Sequence, residues 1–200
     1  PFTMSMVPEG LMDELGIAYE SIMLPPGPVS DPAYLALRPD GLVPTLTDGD
    51  LVIYEGSAIA MYLAEKHGAL APAPGTPARA AWLQWMVYFG AMVHPVGAME
   101  FHPDWFTDDN AAIPAIQARA RRNADDLWSQ IEGQLTEGAW LAGDAYSTAD
   151  ILFFVQALFH WDSAAMFARS PRVSALARRI HARPAMQALL AKHDVPPPAL

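Results

Sequence analysis

The residues best suited to chemistry fall mostly within one stretch, GLVPTLTDGDLVIYEGSAIAMYLAEKHG at 41–68. Glu55-Gly56-Ser57 stands where an extended run gives way to a helical one. The free amides at a helix start, with the positive end of its dipole, attract anions. Val43-Pro44 opens the preceding extended run, and a proline gives no amide to a ladder, so it belongs at a sheet edge or beside a ligand. His94 could act as an acid or hydrogen-bond donor. No histidine pair has metal-ligand spacing such as i, i+4 on one helix, so no metal site is expected. Arg119, Arg121 and Arg122 could mark an anion site, but Asp125 and Asp126 lie within a turn and favour a solvated or ion-paired face. The chain has no cysteine, which excludes disulfides, thiolate metal sites and a cysteine nucleophile. It also lacks a glycine-rich phosphate loop and a nucleophile-elbow motif.

The elements that must position these residues can be read from spacing. Val43-Pro44-Thr45-Leu46 is a short apolar run, Asp48-Gly49-Asp50 a turn, and Leu51-Val52-Ile53-Tyr54 a second strand. Ala58, Ile59, Tyr62 and Leu63 then recur at helical spacing, with Gly68 as the C-terminal cap. Upstream, 6–15 reads as a helix closed by Gly16, with Pro8 in its first turn, where a missing amide costs little. Residues 19–24 alternate as a strand, Pro25-Pro26-Gly27-Pro28 is a loop, and Asp31-Pro32 opens a short helix to about 37. Residues 69–77, rich in Ala and Pro and without periodicity, are the expected linker. Thr76-Pro77 then supplies a cap and first-turn pair.

Helix 78–99 carries Trp82, Trp85, Met86, Phe89, Met92 and Val93 on more than one stripe, so it is expected to be buried on several sides, against its own domain and a second subunit. Residues 101–110 break it, and a long helix follows over about 112–135, with Ile116, Ala120, Ala124, Leu127 and Ile131 on one face. Ser147 with Asp150 three residues later forms a capping box, flanked by Tyr146 and Ile151 at the staple positions. That helix runs to about 160. Ser170-Pro171 and Arg183-Pro184 start two more helices, and 195–198 is an extended tail.

The 200 residues are 52% hydrophobic and 17% charged, which describes a globular protein with a sizeable core. A net charge of −10 argues against nucleic-acid or anionic-membrane partners. No apolar run is long enough to span a bilayer. A cytoplasmic location is expected.

The motif at 41–68 resembles the glutathione-binding half of the thioredoxin-like domain in cytosolic glutathione transferases, and the Ser147/Asp150 box resembles that of their helical domain. The implied fold is α+β: a thioredoxin-like domain over 1–68, a linker at 69–77 and an all-α helical bundle over 78–200. That domain needs one more strand before the first helix. It is absent from the residues given, and a few residues are expected upstream of Pro1. The resemblance implies glutathione as co-substrate and no metal. Val43 would pair its backbone with the cysteinyl unit, and Pro44 would be cis. Glu55 and Gly56 would hold the γ-glutamyl end, with the Ser57 hydroxyl compensating for the serine more usual at 56. Arg38 would meet the glycine carboxylate, or else lie on the surface.

Residues 1–8, PFTMSMVP, resemble the bacterial beta-class pattern, with Met4 in place of its cysteine and Ser5 in place of its serine. Ser5 is the candidate donor to the glutathione thiolate, with Thr3 second. A serine there could instead simply cap the first helix. Met4, Tyr88, Met92, His94, Phe101 and Trp105 would line the site for a small apolar electrophile, or belong to the core or a dimer interface. The expected protein is a homodimeric transferase with a detoxifying role. The alternatives are a non-catalytic binder of glutathione or apolar ligands with the same fold, and a glutathione-dependent isomerase or dehalogenase.

Overall fold

A computed structural model of the chain describes residues 3–25, 27 and 29–200. Pro1, Phe2, Pro26 and Pro28 lie outside the described residues, the last two within the loop expected at 25–28. Helix α1 spans Met6–Leu15 and ends at Gly16, whose φ of 64° is a left-handed cap. A short helix α2, Pro32–Leu35, follows Asp31, whose carboxylate accepts from the Ala33 amide. Strands β1 (Thr45–Asp48) and β2 (Leu51–Tyr54) pair antiparallel, with Asp48 opposite Leu51, so Gly49 and Asp50 form a two-residue turn. Helix α3, Gly56–Lys66, buries Ile59, Ala60, Leu63 and Ala64 at helical spacing.

The strand expected at 19–24 does not form. Among the described residues the sheet holds only β1 and β2, so no neighbouring strand offers 19–24 a ladder. Ile22 and Met23 stand 74% and 52% exposed. A pattern that alternates is not yet a strand without a partner for its backbone.

Helix α4 spans Pro77–Tyr88, capped by Thr76, which accepts from the Arg79 amide. The single helix expected over 78–99 is interrupted. A π-helical turn at Phe89–Val93 joins α4 to α5, His94–Phe101. The cause is Pro95, which has no amide to give and whose ring would clash with the carbonyl four residues back. A wider turn absorbs the mismatch, and the His94 amide reaches the Phe89 carbonyl instead. Short 3₁₀ turns at Pro103–Trp105 and Asn110–Ala112 lead to α6, Ile113–Gln134.

Helix α7, Thr148–Leu158, begins at the expected box: Asp150 accepts from the Ser147 amide at 2.8 Å and the Ser147 hydroxyl at 3.0 Å, and also from the Leu141 amide at 2.9 Å. Ten of its eleven residues, Thr148 to Ala157, are buried, making it the centre of the helical part. An unanticipated helix α8, Ser163–Arg169, is capped by Asp162. Helices α9 (Pro171–His181) and α10 (Pro184–Lys192) begin at the two prolines read from the sequence.

One core joins the N-terminal helices to the bundle. Met6, Val7 and Leu11 of α1 pack with Ile151 of α7 and Leu189 of α10. The fit is close at Gly10, where a Cβ would stand 2.9 Å from Leu189 and from Met186. Two ionic clusters reinforce the seam. Glu14 takes both arms of Arg183 at 2.6 Å, and Glu9 takes Lys192 and His193. Of the three arginines on α6, Arg121 is ion-paired, though not along its own helix: it crosses to Glu100 of α5 and lies 5.3 Å over the Trp161 ring.

Candidate functional site

The loop before β1 carries the first part of the site. The Val43–Pro44 peptide is cis. Two side chains hold this loop from below. The Tyr34 hydroxyl of α2 donates to the Leu42 carbonyl and shares a 2.8 Å hydrogen bond with the Thr45 hydroxyl. Arg38, only 3% exposed, donates from Nη1 to the Pro44 carbonyl at 2.9 Å. Held in this way, Val43 lies 38% exposed, and its own amide and carbonyl have no backbone partner among the described residues. That is the free edge an extended peptide can pair with.

The second part is the β2–α3 junction. Glu55 takes a left-handed backbone, φ 73° and ψ 114°, an unfavourable conformation for a residue with a side chain. It turns the chain sharply into α3, so that the Gly56, Ser57 and Ala58 amides begin the helix. None of the three has a backbone partner among the described residues, as expected of first-turn donors. The Glu55 carboxylate points out, 65% exposed, with Oε1 3.0 Å from Arg38 Nη2. Arg38 is therefore neither on the surface nor free. It is engaged with Asp40, Pro44 and Glu55.

The third part is the approach to α1. Met4 O lies 3.4 Å from where a Gly56 Cβ would be, an ordinary contact distance, so the start of α3 sits against the Thr3–Ser5 turn with room for a small side chain at 56. Ser5 occupies the cap position, yet its hydroxyl makes no capping bond. Its Oγ lies 2.8 Å from Thr3 Oγ1, and the Ser5 amide donates to that same Thr3 oxygen at 3.3 Å. Met4 is half-buried, and its sulfur accepts from the Gln156 amide of α7 at 3.5 Å. Ser57 Oγ would stand 3.1 Å from a Cβ on Gly90 of the π-helical turn. The absence of a side chain there lets the helical part close on α3.

The residues expected to line an apolar subsite do not form one group. Met4 is at the site. His94 lies near Glu55; desolvation pushes its pKa down, and the Glu55 charge raises it in part. Beyond α5, Phe101 packs edge-on to Phe159 at 6.4 Å, and Trp105 stacks on His102 at 4.3 Å. These aromatics are about half exposed. Tyr88 packs against Trp85 and Phe89 in the helical core, and Met92 is half exposed on α4's continuation. No described contact ties either one to Ser5. Spacing alone did not reveal Tyr34 or Gln156, which reach the site from other elements. Among the described residues no cluster of metal-ligating side chains occurs, and no single helix is long and apolar enough to cross a membrane.

A cis-proline loop with a free backbone edge, packed beside a helix N-terminus and joined to an all-helical bundle, defines a thioredoxin-like α+β protein of the transferase type. Residues 4–74 match the family model for the glutathione S-transferase N-terminal domain, and 104–193 match that for the C-terminal domain. Glutathione S-transferase GstB of Escherichia coli (strain K12) is 31% identical over 162 residues, covering 74% of this chain and 75% of that protein. Glutathione S-transferase F9 of Arabidopsis thaliana is 32% identical over 197 residues, covering 92% and 90%. Among solved structures, a sphingomonad glutathione S-transferase complexed with glutathione superposes with a TM-score of 0.81 at 27% identity, covering 98% and 97% of the two chains. The chain belongs to the glutathione S-transferase family, and it is an enzyme of that class.

Proposed function

We propose that the protein binds glutathione along the Val43 edge and activates its thiol for attack on small apolar electrophiles. The observation that carries this reading is the Ser5 hydroxyl. It sits at the N-terminus of α1, makes no capping bond, and is held by Thr3 at 2.8 Å beside the start of α3. A hydroxyl in that position can donate to a sulfur whose chain lies along Val43. The thiolate is the reactive form, and each pKa unit removed from the thiol takes about 1.4 kcal/mol of preferential stabilisation. The α1 dipole adds to it. Thr3 orients Ser5 and is the second candidate donor.

In this reading Val43 pairs with the cysteinyl unit through its amide and carbonyl, and Pro44 shapes the loop. Glu55 takes the α-ammonium, and the Gly56 and Ser57 amides take the neighbouring carboxylate. Arg38 acts from beneath. The electrophile enters between Met4 and His94, with Phe101 and Trp105 as an outer aromatic wall. We read 1–68 as the glutathione-binding domain, 69–77 as the linker and 78–200 as the helical domain. The half-exposed Leu83 and Val87 on α4, with Leu51, Val52 and Tyr54 on the hairpin, support a homodimer.

The test pairs binding with turnover, using calorimetry with glutathione and conjugation to a nitro-activated aryl chloride. Ser5→Ala is expected to keep the glutathione Kd within about twofold while lowering kcat/KM by roughly tenfold or more, the scale of one lost donor hydrogen bond to a charged centre. Unaltered turnover in both Ser5→Ala and Thr3→Ala would remove the hydroxyls from the mechanism. Binding without turnover in the wild type would favour the ligand-binding alternative.

A further inference from the structure

Arg38 and Asp40, two residues apart in the loop after α2, meet Glu55 from the end of β2 at the edge of the site. Arg38 Nε stands 2.6 Å from Asp40 Oδ1 and Nη2 3.2 Å from Asp40 Oδ2, a forked pairing. The remaining faces of the guanidinium go to the Pro44 carbonyl at 2.9 Å and Glu55 Oε1 at 3.0 Å. Its carbon stands 4.9 Å from the centre of the Tyr54 ring. Each of the three guanidinium nitrogens thus donates to a protein acceptor, and the two carboxylates remain half or more exposed, 51% at Asp40 and 65% at Glu55.

The charges give this arrangement a chemical sense. An Arg38–Glu55 pair alone would be neutral and would offer little attraction to a cation. Asp40 brings the cluster to one net negative charge, with the buried cation beneath and the Glu55 side chain 65% exposed. A primary ammonium arriving at Glu55 neutralises the group. We infer that Arg38, Asp40 and Glu55 form one ammonium-recognition triad, in which Arg38 positions both Glu55 and the Pro44 carbonyl and Asp40 supplies the charge that keeps the cluster anionic. The inference rests on the reading of Glu55 as acceptor for the glutathione α-ammonium. Arg38 and Asp40 act through Glu55 and the loop, and are positioning residues.

Asp40 Oδ1 also accepts from the Leu42 amide at 2.9 Å, so the informative change is Asp40→Asn, whose remaining oxygen can still accept from Leu42 and Arg38 Nε while the charge and the Nη2 arm of the fork are lost. The experiment measures Kd by calorimetry for glutathione and for its analogue lacking the α-amino group, glutaryl-cysteinyl-glycine. The proteins are the wild type, Asp40→Asn, Arg38→Lys and Arg38→Met. The wild type is expected to prefer glutathione. Asp40→Asn is expected to weaken glutathione about three- to tenfold, the scale of one charge lost near a protein surface. It should leave the analogue unchanged, and the difference should shrink with added salt.

Arg38→Met is expected to weaken both ligands, because the loop and Glu55 are released together, and Arg38→Lys to recover part of the loss. Equal weakening of both ligands by Asp40→Asn, or no effect on either, would overturn the inference. A wild type that binds both ligands equally well would instead remove Glu55 as the ammonium acceptor, and the triad with it. If Arg38→Met does not fold, the Asp40→Asn comparison still decides.

Discussion

Glu9 lies in the first turn of α1, four residues from Ser5, and its carboxylate is almost fully buried against the end of α10. Desolvation would raise its pKa, but His193 at 3.2 Å and Lys192 at 2.5 Å outweigh that and pull it down from 4.5 to about 2. The sign follows from linkage. A carboxylate with a depressed folded-state pKa contributes stability above its unfolded value, and that contribution is lost as pH falls from about 4.5 towards 2. The depression from 4.5 to about 2 corresponds to at most about 3 kcal/mol. Lys192 is 37% exposed and partly screened, which leaves about 2 kcal/mol.

Glu9→Gln keeps the volume and removes the charge. For a chain of this size, about 2 kcal/mol is a loss of roughly 4–8 °C in Tm at pH 7. The assay is urea and thermal unfolding of wild type and variant from pH 2.5 to 8 at one fixed protein concentration. The gap between the two should be largest above pH 5 and should close on acidification. Parallel curves with a constant gap, or no gap at pH 7, would refute the argument that the Glu9 cluster couples α1 to α10 by charge.

Three other outcomes are expected. Gly41→Ala should cost about 3 kcal/mol and weaken glutathione binding, because φ there is +68° and a Cβ would stand 2.5 Å from the Val29 carbonyl beside the cis-proline loop; urea unfolding and calorimetry read both effects. Burial raises Asp150 to about 6, so its contribution to stability falls as pH rises from about 4 through 6. Asp150→Asn should flatten that slope while lowering overall stability, as Leu141 and Ser147 lose a charged acceptor, and chemical denaturation at a series of pH values checks this. Val87→Glu, at a position 59% exposed on α4, should give a monomer by sedimentation at micromolar concentration without lowering the protein's solubility. A dimer that persists would move the interface elsewhere.

Much of the architecture was legible because its signals are local. Gly16 ends α1, Thr76-Pro77, Ser170-Pro171 and Arg183-Pro184 start helices, and the Ser147/Asp150 box appears as read. The hairpin and the α3 start were visible from a turn between two β-rich runs. What was not legible depends on partners distant in sequence. Residues 19–24 have a strand's alternation but no strand beside them among the described residues. The π-helical turn arises from a conflict between Pro95 and the carbonyl four residues back, which an apolar stripe does not signal. Arg38 reads as an ordinary arginine because, beyond its near neighbour Asp40, its acceptors Pro44 and Glu55 are brought to it only by the fold. Gln156 is one polar residue in an apolar helix until Met4 is placed against it. The aromatic residues around α5 could not be divided between core and cleft, because both uses share the same spacing.

The most direct test of the account is the ultraviolet absorbance of the glutathione thiolate, followed against pH with the ligand bound to wild type and to Ser5→Ala. The account predicts a bound thiol pKa well below that of free glutathione in the wild type, and a rise of one unit or more when the Ser5 hydroxyl is removed. A bound thiol that titrates as it does in free solution, or one whose depressed pKa is the same in both proteins, would contradict it.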